Sequence, residues 1–281
     1  MVDSSFEFTF LGTGTSAGIP IIACDCEVCS SADPRDKRLR AGACVQFSDA
    51  NGQKRVLLLD ATPDLRQQAL RHNITRCDGI FFTHNHVDHT FGLDEVRRFN
   101  AVMQAPIDIF ADANTMHTLE RVYEHVFRAH QNVNQSFVAT LIPHVIEPMQ
   151  TIERFGVLVT AIPLLHGRLP MLGFRIERAG SDAGGNVSLL PLAYCTDVSA
   201  IPPHAWPLFE GVNTLVLDML RYRHHPTHFT VDQAITIAQQ VGAQQTWFTH
   251  MTHDIRHADL DPELPSGMSL AFDGLVLRSE T

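Results

Sequence analysis

The sequence predicts an α+β protein in which β-sheets pack on each other and helices cover the outside. Two observations favour this fold class. Short strand-like runs recur along the whole chain of 281 residues, and segments with helical periodicity lie between them. The chain is 44% hydrophobic and 19% charged, which is enough to bury a large core. Because no Pro/Ser-rich linker or charge block divides it, we expect a single domain over residues 1–281.

The predicted strands begin near the N-terminus. Phe6, Phe8 and Phe10 alternate with polar residues before the Gly-rich bend GTGTSAG, which is the period of a half-buried strand. Asn51-Gly52 lies between two strand-like runs and predicts a two-residue hairpin turn, because both positions tolerate positive φ. Further strands are predicted at residues 79–83, 107–111, 157–162, 172–177, 192–196, 214–219, 246–250 and 269–278.

Helices are predicted between these strands. Apolar residues at i, i+3, i+4, i+7 and i+8 spacing predict an amphipathic helix over residues 114–129. Thr230, followed three residues later by Gln233, is typical of a capping box for a helix that ends near Val241. The segment AGSDAGGN, residues 179–186, predicts a hairpin loop between two strands.

Composition and charge disfavour several classes of protein. The formal net charge of -10 argues against charge-driven binding of nucleic acid or of an anionic membrane. The first ten residues, MVDSSFEFTF, have no basic segment followed by a long apolar one, and no apolar run reaches about 18 residues. We therefore expect a cytoplasmic protein with no membrane partner.

The main chemical signal is FFTHNHVDHTFG, in which a strand-like run leads into four potential metal ligands. Residues two apart in an extended segment project on the same face, so His84 and His86 can bind one metal. Asp88 and His89 follow where the chain turns and can face a second metal. Imidazole and carboxylate together suit zinc, manganese or iron better than calcium or magnesium. This density of ligand types at a strand end indicates a metal site rather than chance.

A cysteine cluster, CDCEVC, places Cys24, Cys26 and Cys29 within six positions. Six cysteines in a chain of this length argue against a disulfide framework, and the cluster lacks the βαβ context of thioredoxin-like chemistry. Metal ligation and ordinary free thiols remain as interpretations. The other cysteines lie singly in or beside apolar segments and are predicted to be buried, inert thiols: Cys44, Cys77 and Cys195.

The run HNHVDH resembles the H-x-H-x-D-H signature of the metallo-β-lactamase superfamily. The resemblance implies a four-layered αββα sandwich with a binuclear metal site along one edge of the sheets. It also implies three later ligands, His166 in LLHG, Asp197 in YCTD and His250 in FTHM. Asp60, at the end of VLLLD, matches a position expected to support the site rather than to bind metal. The implied ligand set is His84, His86 and His166 on one metal, Asp88, His89 and His250 on the other, and Asp197 shared.

A closer resemblance, to the PhnP-type phosphodiesterases, runs from about residue 8 to residue 277. It rests on LGTGTSAGIP, CDCEVC, THNHVDH, CTD, HFTVD, THMTH and LPSGMSLAFDG, whereas residues 106–148 supply no matching motif. It implies a homodimer that hydrolyses small cyclic ribose phosphates in phosphonate catabolism. It further implies a structural zinc bound by Cys24, Cys26, Cys29 and His253, with His257 as the alternative fourth ligand.

The resemblance also implies a mechanism. Two divalent metals, manganese or zinc or iron, hold a bridging hydroxide and stabilise charge on the phosphate oxygens. Asp88 is predicted to be catalytic as well as a ligand. His228 is predicted to be the general acid that protonates the leaving oxygen, or a phosphate-binding group, because imidazole can carry a proton near neutral pH. Nearby, two arginines are equal candidates for a phosphate contact and two histidines are expected to be solvated: Arg221 and Arg223, and His224 and His225.

Three alternatives share the metal motif. A tRNA 3′-processing nuclease normally needs a basic arm, and this acidic chain has no Lys/Arg/Gly-rich insertion. A thioester hydrolase of the glyoxalase II type is not expected to contain the cysteine cluster. A non-enzymatic protein of quinone-cofactor biosynthesis is the main competitor outside the hydrolases. The expected partner is a small phosphodiester, with no stable binding of nucleic acid.

Overall fold

Two mixed β-sheets form the centre of the computed structural model, which describes residues 6–134, 136–180 and 189–279. Within those residues each sheet has seven strands. In spatial order the first sheet contains β14 (Val276–Arg278), β1 (Phe6–Gly12), β2 (Gly42–Ser48), β3 (Lys54–Leu59), β4 (Gly79–Phe81), β5 (Ile107–Ala111) and β6 (Leu141–Val145). The second contains β13 (Met268–Leu270), β12 (Gln245–Thr249), β11 (Thr214–Asp218), β10 (Leu192–Cys195), β9 (Leu169–Arg178), β8 (Val157–His166) and β7 (Thr151–Arg154).

Helices flank this pair of sheets. They are α1 (Leu65–Arg71), α2 (Val87–Thr90), α3 (Arg97–Met103), α4 (Ala113–Val122), α5 (Glu124–Phe127), α6 (Val231–Val241) and α7 (His257–Leu260). Leu65, Phe99 and Leu119 of α1, α3 and α4 pack on the outer face of the first sheet. Ala234 and Ala238 of α6 pack on the outer face of the second. The layers therefore run helix, sheet, sheet, helix, which confirms the predicted αββα sandwich.

Aromatic side chains fill the space between the sheets. The phenylalanines of β1 alternate inward as their period-two spacing predicts, and the Phe8 and Phe10 ring centroids lie 5.0 Å apart. Phe81 of the first sheet contacts Phe174 of the second, with centroids 5.5 Å apart. Aromatic pairs of this kind stabilise by about 0.5–1.5 kcal/mol beyond the area they bury. These contacts hold the two sheets face to face around a shared core.

Strand direction brings the predicted site residues to one edge. Strands β3 to β6 are parallel to each other, as are β10 to β13. Their carboxyl ends therefore emerge together, as in other sheets in which loops at that edge form the site. The loops that leave β3, β4, β10, β11 and β12 contain Asp60, His84, Asp197, His228 and His250.

Helix ends follow the local sequence. The capping box is confirmed: Thr230 Oγ1 accepts the Gln233 N–H at 3.3 Å, and Gln233 Oε1 accepts the Thr230 N–H at 3.0 Å. The predicted helix over residues 114–129 is instead two helices, α4 and α5, because the backbone leaves helical geometry at Tyr123. The Tyr123 hydroxyl donates to the Thr90 carbonyl oxygen at 3.0 Å, which fixes this corner against α2.

Two strand predictions need correction. The predicted strand at 269–278 is two strands in different sheets, β13 and β14, because the chain turns at Asp273 and Gly274, where Gly274 has a φ of +94°. The β2–β3 hairpin forms, but Gly52 alone takes a positive φ, and Asp49 closes a longer loop by accepting the Asn51 and Gln53 N–H groups.

The predicted loop at 179–186 lies outside the described residues from 181 onward. In the part of the chain that the structure describes, no helix combines the length and the apolar character that a bilayer crossing requires.

Candidate metal centre and active site

The residues of the site follow strand ends through sharp turns. Asp60, Asp197 and His250 have φ values of +66°, +60° and +63°. This left-handed conformation costs a non-glycine residue about 1–2 kcal/mol, and such strain clusters at functional sites. The turn at each position lets the side chain point back over the sheet edge. Three separate strand ends thus converge on one buried centre.

The first ligand group is formed by His84, His86 and His166, whose candidate ligand atoms lie within 4.8 Å of one another. The ring centroids of His84 and His86 are 4.5 Å apart, and that of His166 is 5.0 Å from His86. His84 and His166 are buried, whereas His86 is exposed. One side of this group therefore opens to solvent.

The second group contains Asp88, His89, Asp197 and His250, again within 4.8 Å of one another. The two oxygens of Asp197 face different rings: Oδ2 lies 3.2 Å from His89 Nε2, and Oδ1 lies 3.0 Å from His250 Nε2. Asp197 also clusters with His166 of the first group. It thus lies between the two groups, where the resemblance places the shared ligand. The separate catalytic role of Asp88 stays a prediction.

Hydrogen bonds on the far sides of the rings orient them inward. His89 Nδ1 lies 2.8 Å from Asp60 Oδ2, and His166 Nδ1 lies 2.9 Å from the Asp197 carbonyl oxygen. His84 Nδ1 lies 3.0 Å from Thr83 Oγ1, and that hydroxyl donates in turn to Asp60. With protons on Nδ1, the Nε2 lone pairs point into the centre, as in histidines that bind metals.

The inward-facing nitrogens lack hydrogen-bond partners. Nε2 of His84, His89 and His250 is buried and unsatisfied, although carboxylate oxygens approach the last two. A buried polar atom left unpaired costs about 1–3 kcal/mol. Divalent cations would satisfy these lone pairs, so the donor set fits two metal ions of the zinc, manganese or iron type.

The charge balance supports the same conclusion. Burial alone would lower the pKa of His89, but the carboxylates of Asp197, Asp60 and Asp88 outweigh it and raise that pKa well above the usual value. Burial lowers the pKa of His166 to about 4 despite the proximity of Asp197, so this ring is neutral. The centre combines the neutral imidazole of His166 with carboxylates close enough to raise the pKa of His89, and a divalent cation would take the place of the proton that these carboxylates favour on His89.

Asp218 is a site residue that sequence reasoning missed. It ends β11 and is fully buried, and it accepts the Phe229 N–H at 3.0 Å and the Asp197 N–H at 3.2 Å. Its Oδ1 also lies 2.9 Å from His228 Nδ1. The available signal was the strand end LVLDM, which parallels the VLLLD that ends in Asp60.

His228 lies over the mouth of the centre. Its ring centroid is 4.6 Å from that of His166 and 4.8 Å from that of His250. Because Asp218 engages Nδ1, Nε2 is left to face a bound ligand. Burial, with smaller effects from His89 and Arg221, lowers the pKa of His228 in spite of nearby carboxylates. His224, in the same loop, is exposed, as expected.

The cysteine cluster meets one histidine from the far end of the chain. The Sγ atoms of Cys24, Cys26 and Cys29 lie 3.3, 3.4 and 3.6 Å from His253 Nδ1. A tetrahedral zinc with Zn–S near 2.3 Å and Zn–N near 2.0 Å would separate sulfur from nitrogen by about 3.5 Å. The donors therefore fit a structural zinc. His257 is not part of this group.

A buried arginine fixes the loop around His253. Arg38 donates through Nη1 to the Thr252 carbonyl oxygen at 2.9 Å and through Nη2 to the Ile255 carbonyl oxygen at 2.8 Å. Its charge is paired with Asp36 at 3.1 Å. Asp36 also accepts the N–H of His257 at 2.8 Å, which keeps that residue away from the cysteines.

Comparison with known proteins places the chain in a family. Residues 55–251 match the Beta-lactamase superfamily domain. An octanoyltransferase of Porphyromonas gingivalis is 32% identical over 270 residues, which cover 94% of this chain but only 50% of that protein. The chain thus spans half the length of this curated relative.

Solved structures of similar fold lead to the same superfamily. A diphosphatase from the PhnP family superposes with a TM-score of 0.84 at 37% identity, covering 98% of this chain and 97% of its own. Zinc-bound PqqB from Methylobacterium extorquens superposes with a TM-score of 0.72 at 19% identity, covering 96% and 99%, and at that identity it shows the fold alone. The chain therefore belongs to the metallo-β-lactamase superfamily and, within it, is PhnP-like.

Proposed function

We propose that the protein is a binuclear metal-dependent hydrolase of small phosphate esters, with cyclic ribose phosphodiesters as the first substrates to test. The observation that carries this proposal is the Asp218–His228 pair held directly over the two ligand groups. A phosphodiester needs both an electrophilic centre for its anionic oxygens and a proton for its leaving oxygen. This arrangement supports the proposal, because it would supply both functions side by side.

The ligand residues would hold the metals as two groups. His84, His86 and His166 would bind one ion, and Asp88, His89 and His250 the other, with Asp197 between them. When bound, two divalent ions supply Lewis acidity that lowers the pKa of water and neutralises charge on phosphate oxygens. The hydrogen bonds that His89 donates to Asp60 and His84 donates to Thr83 keep the rings in place before any substrate arrives.

The chain's own groups would then manage the proton. In hydrolysis, water adds to phosphorus and releases a proton, the bond from phosphorus to the leaving oxygen breaks, and that oxygen takes up a proton. His228 Nε2 would take up the proton that the water releases and donate it to the leaving oxygen, and Asp218 would hold the orientation of the ring and stabilise its charged form. A fixed tautomer is important here because a rotated imidazole would present the wrong nitrogen.

Features of the chain disfavour the alternatives. The net charge of -10 does not suit a nuclease that must hold a long polyanion. The matched region is only half of the octanoyltransferase, so the likeness does not support acyl transfer by this chain. The relationship to PQQ synthesis protein B keeps a role in quinone-cofactor synthesis as the competing proposal.

The test is a substrate screen of metal-reconstituted protein with bis-p-nitrophenyl phosphate, a ribose cyclic phosphate and a glutathione thioester. We expect hydrolysis of the phosphate esters and a loss of at least about 100-fold in kcat for His228→Ala. His224→Ala, an exposed histidine of the same loop, is the matched control and should leave kcat unchanged. Activity on thioesters alone would contradict the proposal.

A further inference from the structure

We infer that Arg168 determines substrate specificity by binding a second phosphate, so that the site favours diphosphate esters over substrates with one phosphate. The inference rests on the proposed function, since it concerns the same site. It concerns a residue outside both ligand groups and outside the Asp218–His228 pair. It names a chemical class of substrate, namely esters in which two phosphates are joined in series.

Arg168 lies at the tip of the β8–β9 hairpin, two residues after the ligand position His166. The last pair of the hairpin is His166 with Leu169, which leaves Gly167 and Arg168 as the two-residue turn. The end of the hairpin that presents a ring to the metal centre thus presents Arg168 beside it. His166 belongs to the centre where the reacting phosphate would bind, and Arg168 lies only two residues further along the chain.

The hairpin tip is fixed against the loop that holds His228. The Gly167 N–H donates to Ser199 Oγ at 2.8 Å, and Ser199 Oγ donates to the Leu165 carbonyl oxygen at 3.0 Å. On the other side, a Cβ atom at Gly167 would lie 2.7 Å from Thr227 Cγ2, so the two loops are in close contact. The backbone under Arg168 therefore borders the mouth of the site from a rigid position.

Arg168 differs from the other arginines near this mouth because its charge is not engaged. Arg223 pairs with Asp254 at 3.3 Å, and Arg221 donates to the carbonyl oxygens of residues 223 and 224. Arg168 is exposed and has no ion-pair or hydrogen-bond partner in residues 6–134, 136–180 and 189–279. A free guanidinium at the rim of an anion-binding centre is suited to bidentate contact with phosphate.

The surrounding chemistry favours a second phosphate as its ligand. The metal centre and His228 would bind the first phosphate of a substrate. Arg168 would then remain to bind a further anionic group. The PhnP-family relative at 37% identity is a diphosphatase, whose substrates contain such a group. A diphosphate reaching from the centre towards the hairpin tip supplies that charge without adding bulk to the buried part of the site.

The experiment compares two thymidine esters that differ in their number of phosphates: thymidine 5′-diphosphate and p-nitrophenyl thymidine 5′-phosphate. For Arg168→Ala we expect kcat/KM on the diphosphate to fall by about 10-fold or more, which matches a lost charged hydrogen bond. For p-nitrophenyl thymidine 5′-phosphate, which has a single phosphate, kcat/KM should change less than about 2-fold. Arg168→Lys should recover part of the loss, because it keeps the charge but not the bidentate geometry.

Arg98→Ala is the matched control, since Arg98 is an exposed arginine on α3 and should leave both substrates unaffected. Calorimetric binding of α,β-methylene thymidine diphosphate and of thymidine 5′-phosphate gives a second readout. Arg168→Ala should weaken only the diphosphate analogue. Equal losses for both ligands, or no loss for either, would overturn the inference. A wild-type protein that binds the analogue but hydrolyses neither ester would instead contradict the proposed function.

Discussion

At the scale of single residues, Asp218 connects the metal centre to the proton donor. It accepts the N–H of Asp197, a candidate shared ligand, and it orients His228. Asp218→Asn should therefore lower kcat on bis-p-nitrophenyl phosphate by about 100-fold or more, because an amide can stabilise neither the tautomer nor the charged ring. Metal content measured by mass spectrometry should change little. Asp254→Asn, at an exposed ion pair, is the control, and equal kinetics for both variants would refute the role of Asp218.

A second prediction at this scale concerns the pH dependence of stability. Asp273 is buried between the N-terminal and C-terminal loops, where its Oδ1 accepts the Thr13 N–H at 2.9 Å and its Oδ2 accepts the Leu39 N–H at 2.8 Å. Burial raises the pKa of Asp273 from 3.8 to about 6, although these donors and Arg71 oppose the shift. The folded protein therefore retains this proton between pH 4 and 6, where the unfolded chain has lost it.

The direction in which stability changes with pH follows from that difference in protonation. The stabilising contribution is complete below pH 4 and is lost as the pH rises through 6, by about 3 kcal/mol at most. Asp273→Asn is neutral throughout, so urea unfolding should show wild type losing stability relative to this variant across that range. A difference that stays flat, or that changes in the opposite direction, would rule out the effect.

Residues at strand ends were predictable where the sequence provides a dense local motif. HNHVDH contains four ligand positions within six residues, so its role could be inferred directly. His166, Asp197 and His250 needed the family resemblance, because each is a single residue after a strand. Asp218 was missed because its partner His228 lies ten residues away, and nothing in the spacing shows that the loop folds back.

At the scale of secondary-structure elements, α2 contains the candidate ligands Asp88 and His89. Their position depends on how closely the segment just after α2 packs against the loop that follows β3. The Gly92 N–H donates to the Ala61 carbonyl oxygen at 2.8 Å, and a Cβ at Gly92 would lie only 1.9 Å from the Thr62 carbonyl oxygen. Gly92→Ala should lower the free energy of unfolding by about 3 kcal/mol, because backbone must move to accept the methyl group.

The control for this variant is Gly211→Ala. Gly211 has a φ of +69° but open space around its Cβ direction, so the change should cost only about 1 kcal/mol. Chemical denaturation measures both variants. If Gly92→Ala were no less stable than Gly211→Ala, the close approach of α2 to the β3 loop would not be limiting.

The strands were predicted well because most of them are apolar runs bounded by polar turns. The segment at 269–278 failed because the break between β13 and β14 depends on Asp273, whose burial is decided by contacts with Thr13 and Leu39. The helix break at Tyr123 likewise depends on a hydrogen bond to Thr90, far away in sequence. Local periodicity contains no information about such partners.

At the scale of the whole molecule, the Cys3His cluster links loops that are 229 residues apart in sequence. Cys26→Ser should lower the metal content from about three ions per chain to about two and reduce the unfolding free energy by at least about 2 kcal/mol. Part of the hydrolytic activity should remain, because Arg38 still holds the loop around His253. Ser30→Ala, beside the cluster, serves as the control. Loss of all active-site metal from a folded variant would disprove this division of roles.

Assembly and metal identity stay predictions. We expect a homodimer, so light scattering should give about twice the chain mass of 31.3 kDa, whereas a monomer at micromolar concentration would contradict it. Metal analysis of the purified protein distinguishes zinc, manganese and iron in the two ligand groups, which share donors that suit all three.

The arrangement of the outermost strands has a consequence for synthesis of the protein. Strand β1 pairs on one side with β2 and on the other with β14, so two strands from opposite ends of the chain lie side by side. During translation the β2 side of β1 can form early, while its other edge waits for residues 276–278 to leave the ribosome. Until then Phe6 and Phe8 lie near an open sheet edge, which favours association with other nascent chains. Strand β14 therefore covers the edge of the phenylalanine-rich strand β1 that β2 leaves unpaired.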